Sequence, residues 1–105
     1  MRHTLDDPDS GSAVTLVPGD ELEVRLRQPG GSGYLWAVAT VPANVAPRGD
    51  DTETESPGMP GASAARTFRF EATGVGSGVL RLELSRPWED GPVEVREVAL
   101  VVKKD

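Results

Sequence analysis

The feature that most constrains this chain is a strict two-residue alternation, repeated in three stretches separated by glycine and proline. Over Glu21 to Arg27, Leu22, Val24 and Leu26 share one face while Glu21, Glu23, Arg25 and Arg27 share the other. That is the pattern of a strand with one buried and one wetted side. Phe68, Phe70 and Ala72 alternate in the same way with Thr67, Arg69 and Glu71, and Leu80, Leu82 and Leu84 do so within 79–84. No segment carries a helical period. Glycine and proline turns recur about every ten residues, so the pattern predicts an all-β, antiparallel sandwich of about seven strands.

The other segments are read with the same rules. Residues 1–12 offer almost nothing to bury and are expected to form a flexible leader, with the folded domain over 13–105. Ala13 to Val17 read as a strand ended by the turn Pro18-Gly19-Asp20. Tyr34 to Val41 read as another, with Tyr34, Trp36 and Val38 on one face and Trp36 filling the space between the sheets. Over 42–63 the pattern dissolves, and only Thr52 to Glu55 could serve as a short polar edge strand. Val93 and Val95 hold odd positions while Val98, Leu100 and Val102 hold even ones. This phase change predicts a β-bulge near Arg96-Glu97, or a strand that begins only there.

Composition then excludes several function classes. A chain of 105 residues makes one domain, whose core removes roughly 60 to 70% of the unfolded surface from water. It has no cysteine and a single histidine, His3, placed in the aspartate-rich leader as a solvated side chain. With no nucleophile and base pattern, no enzymatic activity is expected, and no cofactor or metal. The net charge of -6 argues against nucleic acid and against anionic membranes as partners. No apolar run long enough to span a bilayer is present, and Met1 leads into His3-Thr4-Leu5-Asp6-Asp7 rather than into a signal peptide. A soluble monomer is therefore expected, with cytoplasmic and secreted compartments both open. The clusters Asp6-Asp7-Pro8-Asp9 and Asp50-Asp51-Thr52-Glu53 lack the ligand spacing of an EF-hand and read as solvated acidic loops. The glycine-rich stretches lead into no helix and read as turns.

A binding surface is left as the destination, and Ser85-Arg86-Pro87-Trp88-Glu89 is its best candidate. Pro87 fixes its own φ and pushes Arg86 toward an extended conformation, so Arg86 and Trp88 have little freedom left to lose on contact. From these residues alone two readings of Trp88 stay open: presentation to a partner, or folding back to cap an edge of the core.

Three loops together resemble one family. Arg86-Pro87-Trp88, before the last strand, matches without change the third inhibitory loop of the chagasin family of cysteine protease inhibitors. Gly33-Tyr34-Leu35-Trp36 matches the end of its first loop, Asn-Pro-Thr-Thr-Gly-(Tyr or Phe)-x-Trp, with Pro29, Gly30, Gly31 and Ser32 standing at the four preceding positions. In the middle loop, Gly61-Ala62-Ser63-Ala64 stands where the family carries Gly-x-Gly-Gly. The resemblance spans residues 13–104. It implies an immunoglobulin-like sandwich with three loops at one end that wedge reversibly into the cleft of a papain-like cysteine protease. The protease-binding residues would be Gly31, Ser32, Gly33, Tyr34, Gly61, Ala62, Ser63, Ala64, Arg86, Pro87 and Trp88. The alternative is an immunoglobulin-like interaction module that uses the same end for another protein without inhibiting it.

Overall fold

Eight strands run through the chain: β1 (Arg2–Asp6), β2 (Ser12–Leu16), β3 (Glu21–Gln28), β4 (Leu35–Thr40), β5 (Val45–Thr54), β6 (Ala64–Ala72), β7 (Gly76–Ser85) and β8 (Glu94–Val102). They belong to a computed structural model that describes residues 1–29, 33–54 and 64–105. One sheet has the order β1-β3-β6-β5 and the other β2-β8-β7-β4. The first matches the A-B-E-D order of an immunoglobulin-like sandwich, and β4-β7-β8 matches C-F-G, with β2 added beyond the last strand.

The alternating stretches form the central strands, as their pattern requires. Leu22 lies opposite Phe70 and Val24 opposite Phe68 across the antiparallel β3–β6 pair. Their inner face meets Leu80, Leu82 and Leu84 of β7 and Val98, Leu100 and Val102 of β8, and Leu16, Trp36 and Val45 join the same buried cluster. Full burial of a side chain such as Leu or Phe contributes roughly 1.5 to 3 kcal/mol. These facing rows hold the two sheets together.

The amino-terminal segment departs from the expected leader. Residues 2–6 form β1, which pairs with β3 in parallel, Arg2 opposite Glu21 through Asp6 opposite Arg25. Its alternate residues His3 and Leu5 are half-buried, and Leu5 packs on the core. His3 is not a solvated side chain, since its Nε2 lies 3.0 Å from Asp20 Oδ2. The chain then reverses at Asp7, with φ of +52°, and crosses to the other sheet, where β2 runs parallel to β8. Among the described residues the sandwich therefore has eight strands, with two parallel pairings at its edges.

Two further expectations change. The polar edge strand is longer than Thr52 to Glu55: β5 begins at the buried Val45 and tolerates Pro47 because it is an edge, with a register shift between Pro47 and Asp50. Glu55 lies outside the described residues. At β8 the pairing with β7 is unbroken from Gly76 opposite Val102 to Leu84 opposite Glu94. There is no bulge and no late start. Arg96 simply occupies an inward position, its guanidinium carbon 5.6 Å from the centre of the Trp36 ring. It also donates to Pro8 O at 2.8 Å and pairs with Asp7 at 3.1 Å.

The acidic clusters are engaged with arginines: Asp6 with Arg25, Asp7 with Arg96, Asp50 with Arg66 and Asp51 with Arg69. Exposed pairs of this kind contribute about 0 to 1 kcal/mol each. Among the described residues no helix is long and apolar enough to cross a membrane.

Asp20, in the turn before β3, is the one buried carboxylate among the described residues. It accepts the Val17 amide N–H at 3.0 Å, lies within hydrogen-bond distance of His3, and receives the terminal ammonium of Met1 at 3.1 Å. The Val17 amide first, then His3, lower its pKa from 3.8 to about 2. A folded pKa below the unfolded one means that the ionised carboxylate stabilises fully above about pH 4 and that this contribution disappears as pH falls toward about 2. Asp20→Asn is expected to lower the urea midpoint at neutral pH, with the gap to wild type closing across that acid window. A gap of constant size over the window would contradict this account.

Candidate functional site

Strand register brings three connections to one end of the sandwich. Gln28, the last residue of β3, and Thr54, the last of β5, both pair with Ala64, the first of β6. In the other sheet Leu35, the first of β4, lies opposite Ser85, the last of β7, and Leu84 opposite Glu94, the first of β8. The connections β3–β4, β5–β6 and β7–β8 thus leave from the same end, as the B–C, D–E and F–G connections of such a sandwich must. Of the candidate residues, Gly33, Tyr34, Ala64, Arg86, Pro87 and Trp88 are described, while Gly31, Ser32, Gly61, Ala62 and Ser63 lie outside the described residues.

The base of the first connection is fixed by Trp36, which is 2% exposed. Its indole N–H donates to the Arg27 carbonyl at 2.7 Å, and its amide N–H donates to Gln28 Oε1 at 3.0 Å. Gln28 is itself buried, so its side-chain carbonyl needs this donor. One aromatic residue therefore fills the core and pins β4 to the end of β3.

The third connection projects. The Glu89 amide N–H donates to the Arg86 carbonyl at 3.1 Å, closing a four-residue turn with Pro87 and Trp88 at its two central positions. Pro suits the first of these because its ring presets φ. φ at Trp88 is not positive, which is the type I sense. The chain returns to the sheet through Gly91, at φ +83°, and the Val93 amide donates to Leu84 O at 2.9 Å. Trp88 at the apex is 69% exposed, which decides between the two readings left open by the sequence: it does not cap the core.

The exposed ring is nevertheless braced. Gly33 has φ of +81°, and a Cβ placed there would stand 2.5 Å from Trp88 Cη2, so the indole lies directly on the Gly33 backbone. The Arg86 guanidinium carbon lies 4.3 Å from the Tyr34 ring centre and 5.6 Å from that of Trp88. Glu89 pairs with Arg86 and accepts from the Tyr34 hydroxyl at 3.4 Å. Ala64, at the start of β6, is half-buried and sits in the sheet rather than in this cluster. The structure brings Gly33, Tyr34, Arg86, Pro87 and Trp88 together; Gln28 was not among the candidate residues, and Glu89, although part of the candidate stretch, was given no role there. Gln28 left a signal, because its even number continues the inward phase of Leu22, Val24 and Leu26. Glu89 left only its spacing of three from Arg86 across a proline turn.

Physically the cluster is an aromatic tip with Arg86 paired to Glu89, whose side chains are held before any partner arrives. Trp and Arg are the residue types most enriched among interface hot spots. Among the described residues no group of three or more His, Cys, Asp or Glu side chains is arranged to hold a metal ion.

Comparison with known proteins agrees with this architecture. The family model described as chagasin family peptidase inhibitor I42 matches residues 15–102. Amoebiasin-2 of Entamoeba histolytica is 26% identical over 103 residues, which is 95% of this chain and 83% of that protein. Among solved structures, the cysteine protease inhibitor EhICP2 from Entamoeba histolytica superposes with a TM-score of 0.84 at 24% identity, covering 97% of this chain and 96% of that one. PbICP-C, solved in complex with falcipain-2, superposes at 0.64 and 11% identity over 98% of this chain and 90% of its own.

The bracing of Trp88 generates a prediction. Gly33→Ala meets both a left-handed φ and the indole, so it is expected to destabilise by about 1 to 2 kcal/mol and to shift the fluorescence of Trp88. Gly91→Ala, at a similar φ with nothing within 4 Å, carries the backbone strain without touching the ring. Identical Trp88 emission in the two variants would rule out the contact with Gly33.

Proposed function

Because this chain belongs to the chagasin family of peptidase inhibitors, we propose that it is a reversible inhibitor of papain-like cysteine proteases that occludes the cleft with the end bearing Trp88. The observation that carries this reading is the exposed apex of Arg86-Pro87-Trp88, held against Gly33 and Tyr34 at the end where three connections converge. Relatives that carry the name of cysteine protease inhibitor, and one solved with falcipain-2, support the same target class.

In this reading the inhibitor does no chemistry. The first connection, residues 29–34, covers the protease's catalytic cysteine without offering it a bond to cleave. Trp88 and Arg86 land on the protease surface to one side, and Gly61, Ala62, Ser63 and Ala64 approach from the other. A contact of standard size buries about 1,600 Å² in total, with its energy concentrated in a few anchors. Affinity then depends on how little ordering remains to be done on binding. Here Trp88 is braced, and Gly30 and Gly31 stand where the family pattern carries a Pro and a Thr.

Titration of papain with the purified chain tests the reading. The wild type is expected to inhibit one to one, including when the protease's cysteine is blocked, and Trp88→Ala to weaken inhibition tenfold or more, about 1.4 kcal/mol. Combined Gly30→Pro, Gly31→Thr and Ser32→Thr substitution is expected to tighten it. A wild type that fails to bind papain or a cathepsin-L-like protease overturns the proposal in favour of a non-inhibitory module.

A further inference from the structure

We infer that Glu89 is a positioning residue that fastens the third connection to the first, so that Arg86, Trp88, Gly33 and Tyr34 meet a protease as one prearranged body; this rests on the inhibitor reading above. The turn that places Pro87 and Trp88 at the apex also folds Glu89 back under it, through the N–H donated to Arg86 O. From there one carboxylate serves both connections. It pairs with the Arg86 Nε and accepts from the Tyr34 hydroxyl.

The consequence lies in the orientation of Arg86. A guanidinium is planar and most effective when held flat over an aromatic face, and here one guanidinium serves two rings, Tyr34 and Trp88. Its own side chain is long and would otherwise sample many rotamers. Glu89 removes that freedom by pairing with the Arg86 Nε. The indole lies against the Gly33 backbone, where a Cβ would not fit, with the Arg86 guanidinium carbon 5.6 Å from its ring centre. Arg86 and Glu89 side chains are 31% and 32% exposed, so the pair itself adds little to folding stability. Its effect falls on binding, because each long side chain ordered in advance is one fewer to order at the interface.

The test uses the full chain with papain as probe. Glu89→Ala is expected to leave the thermal midpoint nearly unchanged, to weaken inhibition roughly tenfold, and to speed the local motion of Trp88 in the free protein, read by its fluorescence anisotropy decay. Glu89→Gln, which keeps an acceptor for Tyr34 but loses the ion pair, is expected to fall between the two. In an Arg86→Ala background, Glu89→Ala should add less than it does in the wild type, because only the contact with Tyr34 is left to lose. If Glu89→Ala weakens inhibition while Trp88 motion stays at the wild-type level, Glu89 touches the protease directly and the positioning role is wrong. Loosened Trp88 with unaltered inhibition would equally overturn it. A wild type that does not inhibit defeats the protease reading instead, and the anisotropy comparison then decides alone whether Glu89 holds the apex.

Discussion

Trp36 is the constraint on which the loop end depends. It is a point where the two sheets are tied together by directed bonds as well as by apolar contact. Its indole N–H reaches the Arg27 carbonyl and its amide reaches Gln28, while Arg96 lies across its ring. In antibody domains the tryptophan at this strand packs against a disulfide between the sheets, and this chain has no cysteine with which to make one. Closure here rests on facing rows of Leu, Val and Phe, on the bonds of Arg96 to Asp7 and Pro8, and on the two hydrogen bonds of one aromatic residue. The exit of β3 and the entry of β4 are fixed by those bonds, and so is the position from which Gly33 and Tyr34 can meet the third connection.

What the sequence revealed follows from where each strand sits. β3, β6 and β7 are central strands with one buried face, and their alternation is legible without any knowledge of partners. β1 is not legible, because it presents only His3 and Leu5 inward and gains its place by pairing with a strand some twenty residues away. β5 hides behind Pro47 and Gly49, which an edge strand can accommodate and a central one cannot. The apparent break in β8 arises from a single residue: Arg96 faces inward at the end of the sandwich, where Asp7 and Pro8 can satisfy its guanidinium. A charged residue on the buried phase reads as a change of register unless its partners, almost ninety residues earlier, are known. The candidate motif was legible where it is contiguous and illegible where it is a contact across space, which is why the stretch around Arg86-Pro87-Trp88 stood out while the contacts of Glu89 with Tyr34 and of Trp88 with Gly33 did not.

The two tryptophans show how local backbone decides the fate of one side-chain type. Trp36 lies on the inward phase of a strand, flanked by Tyr34 and Val38, and its polar atom has a carbonyl within reach. Trp88 follows a proline in a tight turn, where there is no inward phase to join, and its ring can only lie along the surface. Gly33 provides the bare backbone it lies on. The same chemical group thus supplies closure at one position and contact area at the other.

The direction of the outermost strands has a consequence of another kind. β1 begins opposite the start of β3, and β8 ends opposite the start of β7, so Met1 and the last residues both emerge at the pole away from Trp88. Anything attached at either terminus, whether a neighbouring module, a tether or an immobilising tag, would be carried behind the molecule and leave the three connections facing forward. The domain is in this sense a cartridge that can be mounted from its rear without obstructing its working end.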